Sequence, residues 1–240
     1  VVGDASNPAI YDGRLRRFDR RLLFVKPNWV VIHDRVETDG VPRRLDWLLH
    51  AHTQEAFPGD AAAATFAVVR PDARLDGRFL HPAGLRMRVD RSFDIAPQKP
   101  RASVFLPWDE VQPEWTLTAG PPEPVAAADL LAVMAVGRAG EDVPSAIPLR
   151  RIETDNALGC HLPTPFGSAL ILLRRRTGVG MLEAEGLSCD GDAVAVLRTP
   201  GGDLLNAFAA RATPLTLAPR RLLHRQAPGD WALHAGAQPQ

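Results

Sequence analysis

The sequence predicts an all-β protein, a large antiparallel β-sandwich of two packed sheets. Three observations carry that expectation: short apolar or alternating runs of about four to eight residues, turn-forming pairs spaced between them, and no long window of helical periodicity. At 240 residues the chain can bury a sizeable core, and all-β domains of this length are ordinary.

Taken in order, Leu22-Leu23-Phe24-Val25, then Lys26-Pro27-Asn28, then Trp29-Val30-Val31-Ile32 reads as strand, turn, strand. Pro and Asn supply the turn geometry. Further strands are expected at Leu45–His50, Ala64–Val69, Leu85–Val89, Ala102–Leu106, Trp115–Thr118, Leu130–Val136, Ala169–Leu173, Gly180–Glu185, Ala193–Leu197, Leu204–Phe208 and Pro214–Leu217. The turns between them are expected at Asp12-Gly13, Asp39-Gly40, Pro58-Gly59-Asp60, Asp76-Gly77, Gly120-Pro121-Pro122, Asp190-Gly191-Asp192, Gly201-Gly202-Asp203 and Pro228-Gly229-Asp230. Ala61–Ala64 and Val125–Leu131 are partly helix-friendly but too short to change the class. The 22 prolines fit this architecture only in turns and at sheet edges, because proline interrupts an interior ladder. One sandwich is expected over residues 1–234, with a subdivision near 137–155, where Gly140-Glu141-Asp142 and Pro144-Ser145 mark an exposed connection. Residues 235–240, small and polar, are expected to form a disordered tail.

Lys and Arg together number 28, as do Asp and Glu, so no net field draws in nucleic acid or a polyanion from a distance. An acidic ligand must meet a local cluster. No apolar run approaches the ~20 residues of a membrane-spanning helix. Val1-Val2-Gly3-Asp4 has neither an initiator Met nor the regions of a signal peptide, and reads as the middle of a longer polypeptide. Cys160 and Cys189 are the only cysteines and lack the spacing of a structural zinc site; a disulfide and two buried thiols both remain open. There is no Gly-x-Ser-x-Gly elbow and no phosphate loop.

Three pieces of the N-terminal region occur in a telling order. Val2-Gly3-Asp4-Ala5-Ser6-Asn7-Pro8-Ala9-Ile10-Tyr11 comes first, Leu15 to Asp34 follows with Arg16-Arg17, Phe24-Val25-Lys26-Pro27 and Val30-Val31-Ile32-His33-Asp34, and Trp47-Leu48-Leu49-His50 closes the series. This order resembles the C-terminal β-sandwich part of heparinase II/III-type polysaccharide lyases. Downstream the resemblance is looser, resting on Trp115-Thr116-Leu117 and Asp192-Ala193-Val194-Ala195-Val196. It implies a lyase whose α/α toroid precedes the sandwich and whose substrate is a uronic-acid-containing polysaccharide such as heparan sulfate or alginate, in the periplasm or outside the cell. The implied reaction is β-elimination: the C5 proton beside the uronate carboxylate is removed, the 4-O leaving group is protonated, and the carboxylate charge is neutralised. The family's catalytic Asn, His and Tyr belong to the toroid. Its structural metal is held by a His-x-His-x-Asp segment, an Asp before Pro-Gly and a His-Asn-Thr, none of which occurs here in full. In family order all of these precede Val1, so this segment is expected to carry no catalytic residue, to hold no cofactor, and to be inactive alone.

Within the chain, Arg14, Arg16 and Arg20 are the candidate substrate-binding residues. Strand alternation places them on one face with Phe18, and puts Leu15, Arg17, Asp19 and Arg21 on the other. An arginine row suits bidentate contact with uronate or sulfate, and equally suits a solvated sheet edge. Asp46, His50 and His52 fall on one face of a strand with Leu48 and are the weak candidates for a metal such as zinc; the alternative is the polar face of a half-buried strand. Tyr11, the sole tyrosine, invites a general-acid role or packs beside a turn. Asp4 and Asp34 suit backbone capping at a turn and a strand end. Arg174-Arg175-Arg176 reads as a solvated strand terminus. The partners this predicts are an acidic polysaccharide and an upstream toroid, with neither nucleic acid nor membrane. The rival reading is a free-standing carbohydrate-binding or interaction module, for which Trp108, Trp115 and Trp231 are the aromatic candidates.

Overall fold

In the computed structural model, residues 2–7, 9–51, 59–90, 115–140, 149–175, 180–210, 215–217, 220–227 and 230–233 are described, the last three segments as backbone only. Among them there is no helix, and the protein is all-β with antiparallel sheets, as the sequence predicts. The expected strand at Ala102–Leu106, together with His52, Trp108, Arg176 and the 235–240 tail, lies outside the described residues.

The strands are β1 (Val2–Asp4), β2 (Leu15–Val25), β3 (Trp29–Thr38), β4 (Trp47–Ala51), β5 (Thr65–Val69), β6 (Ala73–His81), β7 (Arg86–Asp90), β8 (Trp115–Gly120) and β9 (Ala127–Arg138). They are followed by β10 (Arg150–Glu153), β11 (Ala157–Thr164), β12 (Gly167–Arg174), β13 (Leu182–Ala184), β14 (Leu187–Cys189), β15 (Ala193–Arg198), β16 (Leu204–Ala210), β17 (Leu215–Leu217), β18 (Arg220–Ala227) and β19 (Asp230–Leu233). The chain divides into two compact units, Val1–Ser145 and Ala146–Gln240.

In the first unit a six-stranded sheet in the order β1-β2-β3-β9-β6-β5 faces a three-stranded sheet in the order β4-β8-β7. The two close on a core in which Trp47, Leu117 and Ala119 from the small sheet meet Phe66, Phe79, Leu130, Ala132 and Met134 from the large one. Trp47 stands edge-on to Phe79 at 5.1 Å between centroids, so three aromatic side chains, with Phe66, anchor the interior. Asp76-Gly77, expected as a turn, lies inside β6. A side chain at Gly77 would collide with the Phe66 ring from the neighbouring strand, so the glycine serves as a seat for an aromatic.

In the second unit one sheet runs β10-β11-β12-β15-β16 and another β13-β14-β17-β18-β19. Leu170, Leu172, Val194 and Val196 pack against Leu182, Leu187 and Cys189. Residues on both faces of β12 are buried, which matches the unbroken apolar run Ala169–Leu173. Cys160 and Cys189 are free thiols, and burial pushes Cys160 up to about 12 from an ordinary 9.0 and raises Cys189 as well.

Candidate functional site

A cleft of about 870 Å³ in the first unit is lined by Ile10–Asp12, Arg14 and Leu15, by Phe18, Arg20, Asp34, Val36 and Leu130 from the large sheet, and by Pro42–Leu48. Local rules build its first wall. Asp12 and Gly13 both have positive φ, at 53° and 71°, and the Arg14 amide donates to the Tyr11 carbonyl at 2.9 Å, the pattern of a tight type I′ turn. Tyr11 and Arg14 flank that turn, and the Tyr11 ring leans on Phe18 at 6.1 Å between centroids. The opposite wall is tied down where Arg43 and Val125 exchange backbone hydrogen bonds of 2.9 Å, and where the Thr38 hydroxyl donates to the Val41 carbonyl at 2.8 Å.

The expected row of arginines is split. Arg14 and Arg20 line the cleft, but Arg16 does not. The register of β2 against β3 shifts between Leu15 and Arg17, and this bulge brings Leu15 to the side of Phe18 and turns Arg16 away. The Arg16 guanidinium instead donates to the Asp39 carbonyl at 3.1 Å. Strict alternation therefore fails by one residue, and the reason is a bulge that has no signature in the residues themselves.

Most charges in the cleft are paired. Arg20 donates to both oxygens of Asp34 at 2.7 and 2.6 Å, a bidentate pair in which Asp34 is 3% exposed by side chain. That bond raises Arg20 above the ordinary guanidinium range, against the opposing effect of its partial burial. Asp34 sits in mid-strand, so the expectation of a strand-end cap is corrected. Arg43 holds Asp39 at 2.6 Å and keeps its carboxyl below the usual carboxylate range, while Arg44 and Arg86 grip Asp46 at 2.9 and 2.6 Å. Arg14 reaches Asp12 only at 3.8 Å.

The candidate metal ligands are placed as follows. Trp47 and Ala51 are buried while Leu48 and His50 are exposed, so β4 has the alternation expected of it. Asp46 is engaged by two arginines, and His50 Nδ1 lies 3.0 Å from the Thr116 hydroxyl. Among the described residues no group of three or more His, Cys, Asp or Glu side chains converges. Asp4 accepts from the Ser6 amide at 2.8 Å, the local capping expected of it, and the Ser6 side chain together with that amide holds its carboxyl below the usual range. Trp115 packs against the core of the first unit, and for Trp231 only the backbone is described.

Two polar clusters were not anticipated. On the other face of β2 and β3, His33 is fully buried, with Nε2 2.9 Å from Asp129 and Nδ1 3.2 Å from an Arg21 nitrogen. Arginine can only donate, so Nδ1 accepts and Nε2 carries the proton that it donates to Asp129. Arg17 pairs with Asp19 beside them, and Asp19 and Arg21 are 8% and 6% exposed. A solvated sheet edge was the alternative expected of this arginine-rich segment, and on this face it is corrected. Its charges are buried because they satisfy one another, which composition alone does not reveal. In the second unit Arg174 is also buried rather than solvated, and its guanidinium donates to the carbonyls of Gly180, Asp190 and Gly191 at 2.8, 2.6 and 2.5 Å.

No family model matches the chain, and no curated protein matches it. The likeness to polysaccharide lyases therefore stands on its motif residues alone.

Proposed function

We propose that the chain is the β-sandwich portion of a heparinase II/III-like polysaccharide lyase, that the cleft of the first unit forms one wall of an oligosaccharide site, and that the general acid and base come from elsewhere. One observation carries this reading: Tyr11, Arg14 and Arg20 all belong to the segment that bears the family-like motifs, and they meet in a single cleft. Its lining joins aromatic and aliphatic surface to a few polar groups, the ordinary makeup of a small-molecule or sugar site. Among the described residues of its lining, none is singled out as a nucleophile or base.

The same cleft also suits a free-standing carbohydrate-binding module, because Tyr11 and Phe18 offer part-exposed apolar ring surface beside the paired charges. The purified 240-residue chain is expected to bind acidic oligosaccharides and to release no unsaturated uronate, followed by its ultraviolet absorbance. Turnover by the chain alone would overturn the claim that the chemistry lies elsewhere. A toroid-encoding sequence immediately upstream in the same reading frame favours the lyase; a different neighbour there favours the module.

A further inference from the structure

Resting on the reading of the cleft as an oligosaccharide site, we propose that it selects a chain of low charge density, with one carboxylate per sugar and no sulfate, and that Arg14 is the residue that reads the carboxylate. Among the described residues, four arginines and three aspartates line the cleft, a formal excess of one positive charge. Three of those arginines are occupied: Arg20 by Asp34 through both oxygens, Arg43 by Asp39, and Arg44 by Asp46. Arg14 differs. Its nearest carboxylate, Asp12, stands beyond hydrogen-bond distance at 3.8 Å, and the two side chains are 63% and 80% exposed.

The carboxylates of the lining do not leave when a ligand enters. Asp12, Asp34 and Asp46 remain in the lining, so a second and third anionic group on the same stretch of ligand meets carboxylates rather than unused cations. A densely sulfated chain gains one good contact at Arg14 and then pays repulsion. A polyuronate sets one carboxylate against Arg14 and lays its apolar ring faces along Tyr11, Phe18 and Leu48. A planar guanidinium with donors to spare suits a carboxylate bound through both oxygens.

The test is calorimetric titration of the 240-residue chain, at physiological ionic strength, with an unsulfated uronate oligosaccharide and a heparin-derived oligosaccharide of matched length. The wild-type chain is compared with Arg14→Gln and Asp46→Asn, and unchanged thermal midpoints show that the variants are folded. We expect the uronate to bind at least as tightly as heparin and Arg14→Gln to weaken the uronate by about tenfold or more. Asp46→Asn releases Arg44 and Arg86 and is expected to strengthen heparin binding more than uronate binding. A wild-type preference for heparin of tenfold or greater overturns the proposal, as does uronate binding that Arg14→Gln leaves intact. Absence of binding by either ligand defeats the cleft reading itself and this inference with it.

Discussion

Gly77 shows what a single residue can decide. The Phe66 ring, 2% exposed, occupies the space that a side chain at this position would need. Gly77→Ala is expected to cost about 2 to 3 kcal/mol, read as a fall in the denaturant midpoint at unchanged m-value. A loss under about 0.5 kcal/mol would mean that the ring is not tightly seated. Asp-Gly is a turn signal because both residues tolerate positive φ, and at Asp12-Gly13 that local logic holds. At Asp76-Gly77 the same pair is a strand, since the deciding partner sits on another strand, where local reading does not reach. The same limit explains Arg16, turned aside by a bulge, and Asp34, whose partner Arg20 lies across a hairpin.

Strands with unbroken apolar runs, β12 and β15, were legible from their residues. β6, β10 and β11 were not. β11 reads Ala157-Leu-Gly-Cys-His-Leu-Pro-Thr, a small-residue and proline-bearing stretch whose strand character depends on its neighbours β10 and β12. Gly159 is needed there because a side chain would strike the Ile171 carbonyl on β12. Where β12 ends, Arg174 acts on another element altogether: its guanidinium collects the carbonyls that flank the β13–β14 hairpin on both sides. Arg174→Met keeps the bulk of the side chain and orphans those acceptors, so we expect a loss of about 3 kcal/mol. Hydrogen exchange should accelerate first at the amides of Leu187–Cys189. Uniform acceleration across the whole unit would show instead that the arginine supports the fold generally.

For the molecule as a whole, the all-β class was legible because it follows from many weak signals that agree, whereas the four sheets depend on long-range pairing. The two thiols bear on global stability in a definable pH window. Burial raises both, so the folded state holds their protons more tightly than the unfolded chain does. Their stabilisation is complete below the ordinary thiol value of 9.0 and is lost as pH rises toward about 12, the value to which Cys160 is raised. Thiol reagents at neutral pH are expected to leave the folded chain unlabelled and to modify both cysteines in denaturant. Stability should fall across that alkaline range less steeply in Cys160→Ala, and an unchanged slope would remove the thiol from the account. The lone tyrosine has a further consequence. One phenol in 240 residues lies in the lining of the cleft. Biosynthetic incorporation of fluorotyrosine therefore gives the molecule a single fluorine nucleus, a spectroscopic reporter whose resonance follows occupancy of that one place with no background from the rest of the chain.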